Sequence, residues 1–592
     1  MIRSVVRTLA GLILVASVLG WPMRPAQPAH AATVVVSVCD KAHLQAAIDA
    51  APEGGTVTFN GDCTLTATRS VHVAKPLTID GGLHKVTIKG AISGDRTSPV
   101  LQIDARTQGT AGVTLRNLTF AVAGNSLVTN AGTLTVVNTT FRGGKAIYGP
   151  CPSTFPRDYC PPNYPHAANS GGGIFNTNHG TLTVIHSTFS QNQAYLGGGI
   201  YSLNGSVTVI DSTFSSNAAA LYGDGGGIYV QSGQLTVIDS TFSGNNAGFN
   251  AGGIFNAGTA MISGSTIVGS RAGANTKIYT GSGGGVLNGG SGVLTVVNST
   301  FSGNAAYIEG GGIDNEGQAT VANSTFSGNI ARSGGSLFDS YREGRNEALL
   351  PGTFTLRNTI LASPRGFRSC NRVPHDYIDE GGNVDDDGTC NFPPSRSNVS
   401  LDLGPLGNYG GRTPTFFHIV AQPPLPGRLC TGGSLDQRGY YLPFPVCLPG
   451  ATQPNAIQPT GTISLADVSS QIGRTIVISA TVSGAVFYTG PNQKPVSVPY
   501  PSSLVRPTGT ITFWAPLNEG KPIPCAEGDP VTHAVPLPDT TSPQTVTCIY
   551  SGLPLYGNQI VEPVWAQYSG DSLFRGYTTP VTPITIQVAS PD

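Results

Sequence analysis

Between residues 170 and 330, apolar and polar side chains alternate in short runs and never at helical spacing. In Leu182-Thr183-Val184-Ile185-His186-Ser187-Thr188-Phe189-Ser190-Gln191-Asn192 the period is two, which predicts strands broken by Asn and Ser turns. The same run recurs around Phe214, Phe242, Phe301 and Phe326, and each phenylalanine is followed three residues later by an asparagine. Between these runs stand Gly171-Gly172-Gly173-Ile174, Gly197-Gly198-Gly199-Ile200, Gly225-Gly226-Gly227-Ile228, Gly252-Gly253-Ile254, Gly283-Gly284-Gly285-Val286 and Gly310-Gly311-Gly312-Ile313. The glycine runs start about 26 to 32 residues apart, the range of solenoid repeats. Short Val/Ile/Thr/Phe strands at that period predict parallel strands stacked coil on coil, about 4.8 Å apart. Equivalent side chains then touch. Ile174, Ile200, Ile228 and Ile254 form one buried stack, and Phe189, Phe214, Phe242, Phe301 and Phe326 another. Asn192, Asn217, Asn245, Asn304 and Asn329 form an amide ladder at a bend. The glycines suit tight turns and close backbone approach.

If the Ile of each glycine motif points inward, alternation sends the next residue outward. Those residues are Phe175, Tyr201, Tyr229 and Phe255, then Leu287 and Asp314. Four aromatics up one exposed face would stack on sugar rings or anchor a protein partner, and they are the candidate binding residues. The competing expectation is that loops cover them, or that they only brace one another across coils.

The Gly-Gly-Gly-Ile and Phe-Ser-Gly-Asn elements resemble the repeats of pectin-lyase-like β-helix proteins and of polymorphic outer-membrane proteins. Upstream, Cys39-Asp40-Lys41-Ala42-His43-Leu44-Gln45-Ala46-Ala47-Ile48, Gly54-Gly55-Thr56-Val57-Thr58-Phe59 and Leu77-Thr78-Ile79-Asp80-Gly81 are similar to the first coils of such proteins, which implies a helix over Ala42 to Ala51 capping the open end. Downstream, Gly381-Gly382-Asn383-Val384-Asp385-Asp386-Asp387-Gly388-Thr389-Cys390, Leu403-Gly404-Pro405-Leu406 and Leu435-Asp436-Gln437-Arg438-Gly439 resemble the end of choice-of-anchor proteins of bacterial surfaces. The resemblance implies an all-β, right-handed, single-stranded parallel β-helix (solenoid) with an N-terminal capping helix over residues 32–450. It says little of function, because that scaffold hosts enzymes, adhesins and passive wall proteins alike.

From about Gln458 the glycine runs stop. Thr460-Gly461-Thr462-Ile463-Ser464-Leu465, Thr475-Ile476-Val477-Ile478-Ser479-Ala480-Thr481-Val482 and Thr508-Gly509-Thr510-Ile511-Thr512-Phe513-Trp514 alternate as β-sandwich strands do. Tyr568-Ser569-Gly570-Asp571-Ser572-Leu573-Phe574, closing on Ile584-Thr585-Ile586-Gln587-Val588, is similar to the last strands of bacterial Ig-like repeats. An Ig-like β-sandwich is therefore expected over 460–592, after a linker at 451–459.

The other end sets the compartment. Arg3 and Arg7 precede an apolar run from Leu9 to Leu19, and Ala29-His30-Ala31 offers a small-x-small cleavage site, so residues 1–31 read as a signal peptide. No apolar stretch reaches the roughly 18 residues of a membrane span, so none is expected in the mature chain. The last residues, Ala589 to Asp592, carry no hydrophobic tail or sorting motif, which makes release an expectation beside retention at the cell surface. In an exported chain an even count of 10 cysteines reads as disulfides, with sequential pairing a guess: Cys39–Cys63, Cys151–Cys160, Cys370–Cys390, Cys430–Cys447 and Cys525–Cys548. A net charge of −1 and 11% charged residues give no footprint for nucleic acid.

Catalytic or metal chemistry is hard to find. A β-helix lyase needs carboxylates around calcium plus a basic residue, and a glycosidase needs paired acids; neither motif is apparent. Glu309, Asp314 and Glu316, with Asp339 and Glu343 a coil away, are the best acidic cluster and read first as a solvated face. Asn383-x-Asp385-x-Asp387-Gly388 partly imitates a calcium loop but has Pro394 where the bidentate Glu belongs, so its acids are expected to shape a turn. His166, His179 and His186 lack metal-ligand spacing, and His186 shares its repeat position with Asp211 and Asp239. The expectation is a non-catalytic, adhesin-like protein without cofactor, whose partners are glycans or cell-surface or matrix proteins. The alternative is a carbohydrate-active β-helix enzyme.

Overall fold

The computed structural model describes residues 32–408 apart from 92–97, 105–106, 108–111, 147–169, 178, 221, 274–279, 340–352 and 372–376; beyond them it describes 412–416, 436–438, 449–451 and the β-strands as far as residue 587. Residues 1–31, expected as a signal peptide, and Cys151, Cys160, His166, Glu343, Cys430 and Cys525 lie outside the described residues, as do the side chains of Cys447 and Cys548.

The chain winds as a parallel β-solenoid. The coil that starts at Thr181 runs through three main strands and a two-residue strand, Gln193–Ala194, between the second and the third. Thr181–Ile185 joins a 13-stranded first sheet, burying Leu182 and Val184. Thr188–Ser190 joins the second sheet, burying Phe189. After the Asn192 bend and the glycine turn, Ile200–Ser202 joins a 10-stranded third sheet, burying Ile200. All strand pairs within these three sheets are parallel, and equivalent residues are partners: Leu182 with Val207, Phe189 with Phe214, Ile174 with Ile200. The inward residues of all three sheets merge into one continuous apolar core. Among the described residues there is one helix, Lys41–Ala50, capped by the Asp40 carboxylate, which accepts from His43 N at 2.8 Å. It buries Leu44, Ala47 and Ile48 against the first coil, as a cap over an open end requires.

Two turn types make the winding possible. Between the first and second sheets a single residue takes a left-handed backbone: Asn117, Asn138, His186, Asp211, Asp239, Asn298, Asn323 and Asn358, all with φ between 46° and 56°, and Gly264 at 59°. Only Asn, Asp, His and Gly occupy this corner, the types that tolerate positive φ. His186 is thus a corner residue, which explains why Asp stands there in the next two coils. Before the third sheet, Gly197 has φ 64°, and a Cβ on Gly199 would sit 2.6 Å from Gly227 O. The first glycine supplies the turn and the last lets successive coils approach.

The phenylalanine stack exists and is longer than the sequence suggested. It begins at Phe120 and Phe141, with centroids 4.6 to 5.2 Å apart from Phe120 to Phe242 and again from Phe301 to Phe326. Ile267 interrupts it between Phe242 and Phe301. The asparagine ladder breaks in that same coil. Asn192 Nδ2 donates to Asn217 Oδ1 and Asn217 Nδ2 to Asn245 Oδ1, both at 3.0 Å, and Asn304 Nδ2 to Asn329 Oδ1 at 2.9 Å. Ser270 stands where the missing rung belongs, its N–H donating to Asn304 Oδ1. The glycine motif conceals a second amide file, Asn130–Asn176 and Asn256–Asn288–Asn315, with amide bonds of 2.7 to 2.8 Å.

Cys39–Cys63 and Cys370–Cys390 are disulfide-bonded near the two ends of the winding. Val384–Asp385 is the last parallel strand of the second sheet. Beyond it, the described strands pair antiparallel, first Ser400–Leu403 with His418–Gln422, and residues 412–416 and 436–438 lie back along the outside of the coils. From Pro459 to Gln587 the strands form antiparallel sheets of four and five strands.

Candidate functional site

The third sheet carries an outward file directly beside its buried aliphatic file. Parallel pairing aligns Thr129, Phe175, Tyr201, Tyr229, Phe255, Leu287, Asp314 and Phe338. Strand alternation therefore places the four candidate aromatics together, with centroids 5.3 Å apart for Phe175–Tyr201, 5.5 Å for Tyr201–Tyr229 and 4.4 Å for Tyr229–Phe255. The file is less open than expected. Tyr201 is only 3% exposed, its hydroxyl donating to Gln231 Oε1, and Phe175, Tyr229 and Phe255 are half-buried. The rings brace one another across coils because the coil spacing is close to ring-stacking distance. Burial pushes the Tyr201 phenol up to about 12, and burial, then Asp224 and the neighbouring tyrosines, raises that of Tyr229.

A margin that is polar except for Leu196 precedes these strands, formed by Ser170, Leu196, Asp224, Asn250, Ser282, Glu309 and Ser333. Asn250 N donates to Asp224 Oδ1 at 2.8 Å, and Ser282 N to Asn250 Oδ1 at 3.0 Å. Burial pushes the Asp224 carboxyl up to about 7, against the Asn250 N–H and with help from Glu316. Glu309 is raised by burial and then by Glu316, so the three carboxyls share one electrostatic environment. Neither file contains Lys or Arg. With its carboxyl raised to about 7, Asp224 can donate as well as accept hydrogen bonds.

The reading of Glu309, Asp314 and Glu316 as a solvated face is corrected: Asp314 is 1% exposed, within the file, and Glu309 and Glu316 are half-buried beside it. Asp339 points inward at the end of the second amide file, 3.4 Å from Asn315 Nδ2, and burial pushes its carboxyl up to about 7. The acids of the calcium-like loop are turned onto backbone: Asp385 accepts from Cys390 N and Asn398 N, and Asp387 from Ser369 N and Thr389 N. Among the described residues no group of three or more His, Cys, Asp or Glu is placed to hold a metal ion. Asp224 was missed in the sequence. Its signal is faint: it stands just before the turn residue of the glycine run, where the other coils have Ser, Leu, Asn or Glu.

Residues 186–203 and 211–231 match the Chlamydia polymorphic membrane protein repeat. No curated protein matches the sequence. Among solved structures, the chain is similar to a variant catalytic domain of a GH87 α-1,3-glucanase in complex with nigerose, at 13% identity over 61% of this chain and 70% of that one, TM-score 0.34. A second structure of that catalytic domain with nigerose aligns at 12% identity over the same shares, TM-score 0.32. Glucan hydrolysis is a property of those proteins. No described helix is long and apolar enough to cross a membrane.

Proposed function

We propose that the protein is an exported, surface-associated, adhesin-like binding protein. Its right-handed β-helix, residues 32–450, presents the aromatic file to glycans or to cell-surface or matrix proteins. Residues 1–31 act as the signal peptide, 451–459 as linker and 460–592 as an Ig-like β-sandwich spacer. The supporting observation is the file itself: outward rings in register at 4.4 to 5.5 Å, flanked by Asp224 and Glu309, whose carboxyls burial raises. Phe175, Tyr229 and Phe255, half-buried and backed by their neighbours, offer rigid stacking edges and faces, and the neighbouring acids offer hydrogen bonds to hydroxyls. The test is binding of the purified full chain to a glycan array, cell-wall fragments and matrix proteins. Tyr229→Ala and Phe255→Ala should weaken binding at least tenfold with the circular dichroism spectrum unchanged. Equal binding by wild type and variants removes the reading.

A carbohydrate-active enzyme, lyase or glycoside hydrolase, is a second reading. It is favoured by Glu309, whose carboxyl is raised by burial and then by the charge of Glu316, since glycoside hydrolysis uses a pair of acids. Release of reducing or unsaturated sugar ends, abolished by Glu309→Gln or Glu316→Gln with binding retained, would put this reading in place of the first.

A further inference from the structure

The first sheet turns a second, different face to solvent. Its middle file pairs strand to strand from Thr33, Thr56 and Thr78 up to Thr320 and Thr355, and every rung is a threonine except Met261. The outward files on either side vary instead. Two residues before the threonine stand Thr181, Ser206, Gln234 or Val293 in different coils, and two residues after it Ile185, Ser263, Val297 or Ala322. A strand position asks only for a side chain that suits a pleated surface, and Val or Ile meets that need as well as Thr. Strand formation therefore does not account for a hydroxyl on nearly every rung of one file.

The file is open. Thr33 and Thr320 are exposed and its other threonines half-buried, while Met261 and the neighbouring Val293 are 40% and 41% exposed. At the corner that follows, Ser187, Ser212 and Ser240 donate to backbone carbonyls at 2.7 to 2.8 Å. No hydroxyl of the threonine file bonds to another described residue, so each is left to the solvent. From the coil of Thr135 to that of Thr320, moreover, the three outward files hold no charged and no aromatic residue. A solvated face ordinarily carries acids and bases. Six steps of about 4.8 Å make this stretch a surface of hydroxyls and methyls about 29 Å long. Threonine is stiff at χ1 and the core beneath is continuous, so little freedom remains to be lost on binding.

We propose that this face binds ice. A file that repeats one group at one spacing over so many rungs gains from a partner that repeats with it, which points to a crystal surface, of ice or of a packed polysaccharide. Sugar rings are held on aromatic platforms, and the three files have none. Each threonine instead supplies a hydroxyl that joins the oxygen lattice and a methyl around which water is already restricted. The oxygen rows of ice repeat at a spacing close to the rise of one coil, so hydroxyls of successive coils meet equivalent water positions. Each contact is weak, and the array adds them. A second copy of the chain fits less well, because two such faces packed together press free hydroxyls onto methyls away from water. The face is separate from the aromatic file of the third sheet, and ice binding and glycan binding stand or fall independently.

Slow growth of a single ice crystal in a micromolar solution of the fluorophore-labelled full chain tests this. The crystal should take up the label, and the solution should show a gap between its melting and freezing points. Thr208→Tyr and Thr236→Tyr, made separately, place a ring in the middle of the face; each should lower uptake at least tenfold with the circular dichroism spectrum and denaturation midpoint unchanged. Gln193→Tyr, at an exposed position on the short strand between the second and third sheets, should leave uptake as it is. Wild-type chain that is folded yet excluded from the ice overturns the proposal, as does equal uptake by the Thr208 and Thr236 variants. So does retention on microcrystalline cellulose, or a dimer in sedimentation, that the same two variants abolish while ice uptake persists.

Discussion

Phe189 and Phe214 lie in register in adjacent coils, ring centroids 4.6 Å apart and planes within 1° of parallel. They are 25 positions apart in sequence, the length of one coil, so the stack converts a sequence period into a physical contact. Each ring fills the space between those above and below, which leaves little room to collapse if one is lost. Phe214→Ala should destabilise the solenoid by about 3 to 5 kcal/mol. Phe214→Ile, which copies Ile267, should cost about half as much, because the native chain already accommodates an aliphatic residue in that file. Urea denaturation followed by tyrosine fluorescence and circular dichroism reads both.

The coil at Ser270 is the weak point of the amide ladder. Ser270 Oγ is buried without a hydrogen-bond partner, and Asn245 Nδ2 donates only down the stack, to Phe214 O at 2.9 Å. Ser270→Asn should close the ladder from Asn245 to Asn304 and raise stability by about 0.5 to 1.5 kcal/mol. A lowered denaturation midpoint would show that the coil has no room for the larger amide.

Asp339 occupies a position that is Asn in the two preceding coils, Asn288 and Asn315. Burial pushes its folded carboxyl up to about 7, above the roughly 3.9 of an unfolded aspartate, so the folded state binds the proton more tightly. That contribution is complete below the unfolded value and is lost as pH rises through about 7. Asp339→Asn removes this loss and offers the amide its neighbours use. Denaturation midpoints of wild type and variant should lie close together at pH 4 and diverge by pH 8, with the variant more stable. Parallel curves across that range would contradict the assignment.

The solenoid was legible because its two strongest signals, the glycine run before an aliphatic and the phenylalanine three residues before an asparagine, repeat with the coil itself. The second amide file was equally present, in Ile174-Phe175-Asn176 and Ile254-Phe255-Asn256, but Ser202 and Val230 interrupt it and break the pattern. The outward direction of Phe175, Tyr201, Tyr229 and Phe255 follows from alternation. Their degree of burial does not, since it depends on turns from other parts of each coil. The return of residues 412–416 onto the coils was beyond sequence reasoning altogether: Arg412 meets Asp211 across 201 positions, and no local pattern encodes a contact of that range.

The aromatic face requires coils that advance along one axis, and a set of spin-label distances on the outer face of the first sheet measures that advance most directly. Thr114, Thr135, Thr183, Thr208, Thr236, Met261, Thr295 and Thr320 are successive partners there. With one label at residue 320 and the second at 208, 183, 135 or 114, pulsed dipolar spectroscopy should give narrow distributions near 19, 24, 29 and 34 Å, a rise of about 4.8 Å per coil. Distances that fail to grow with the number of intervening coils would contradict the winding, and with it the aromatic face.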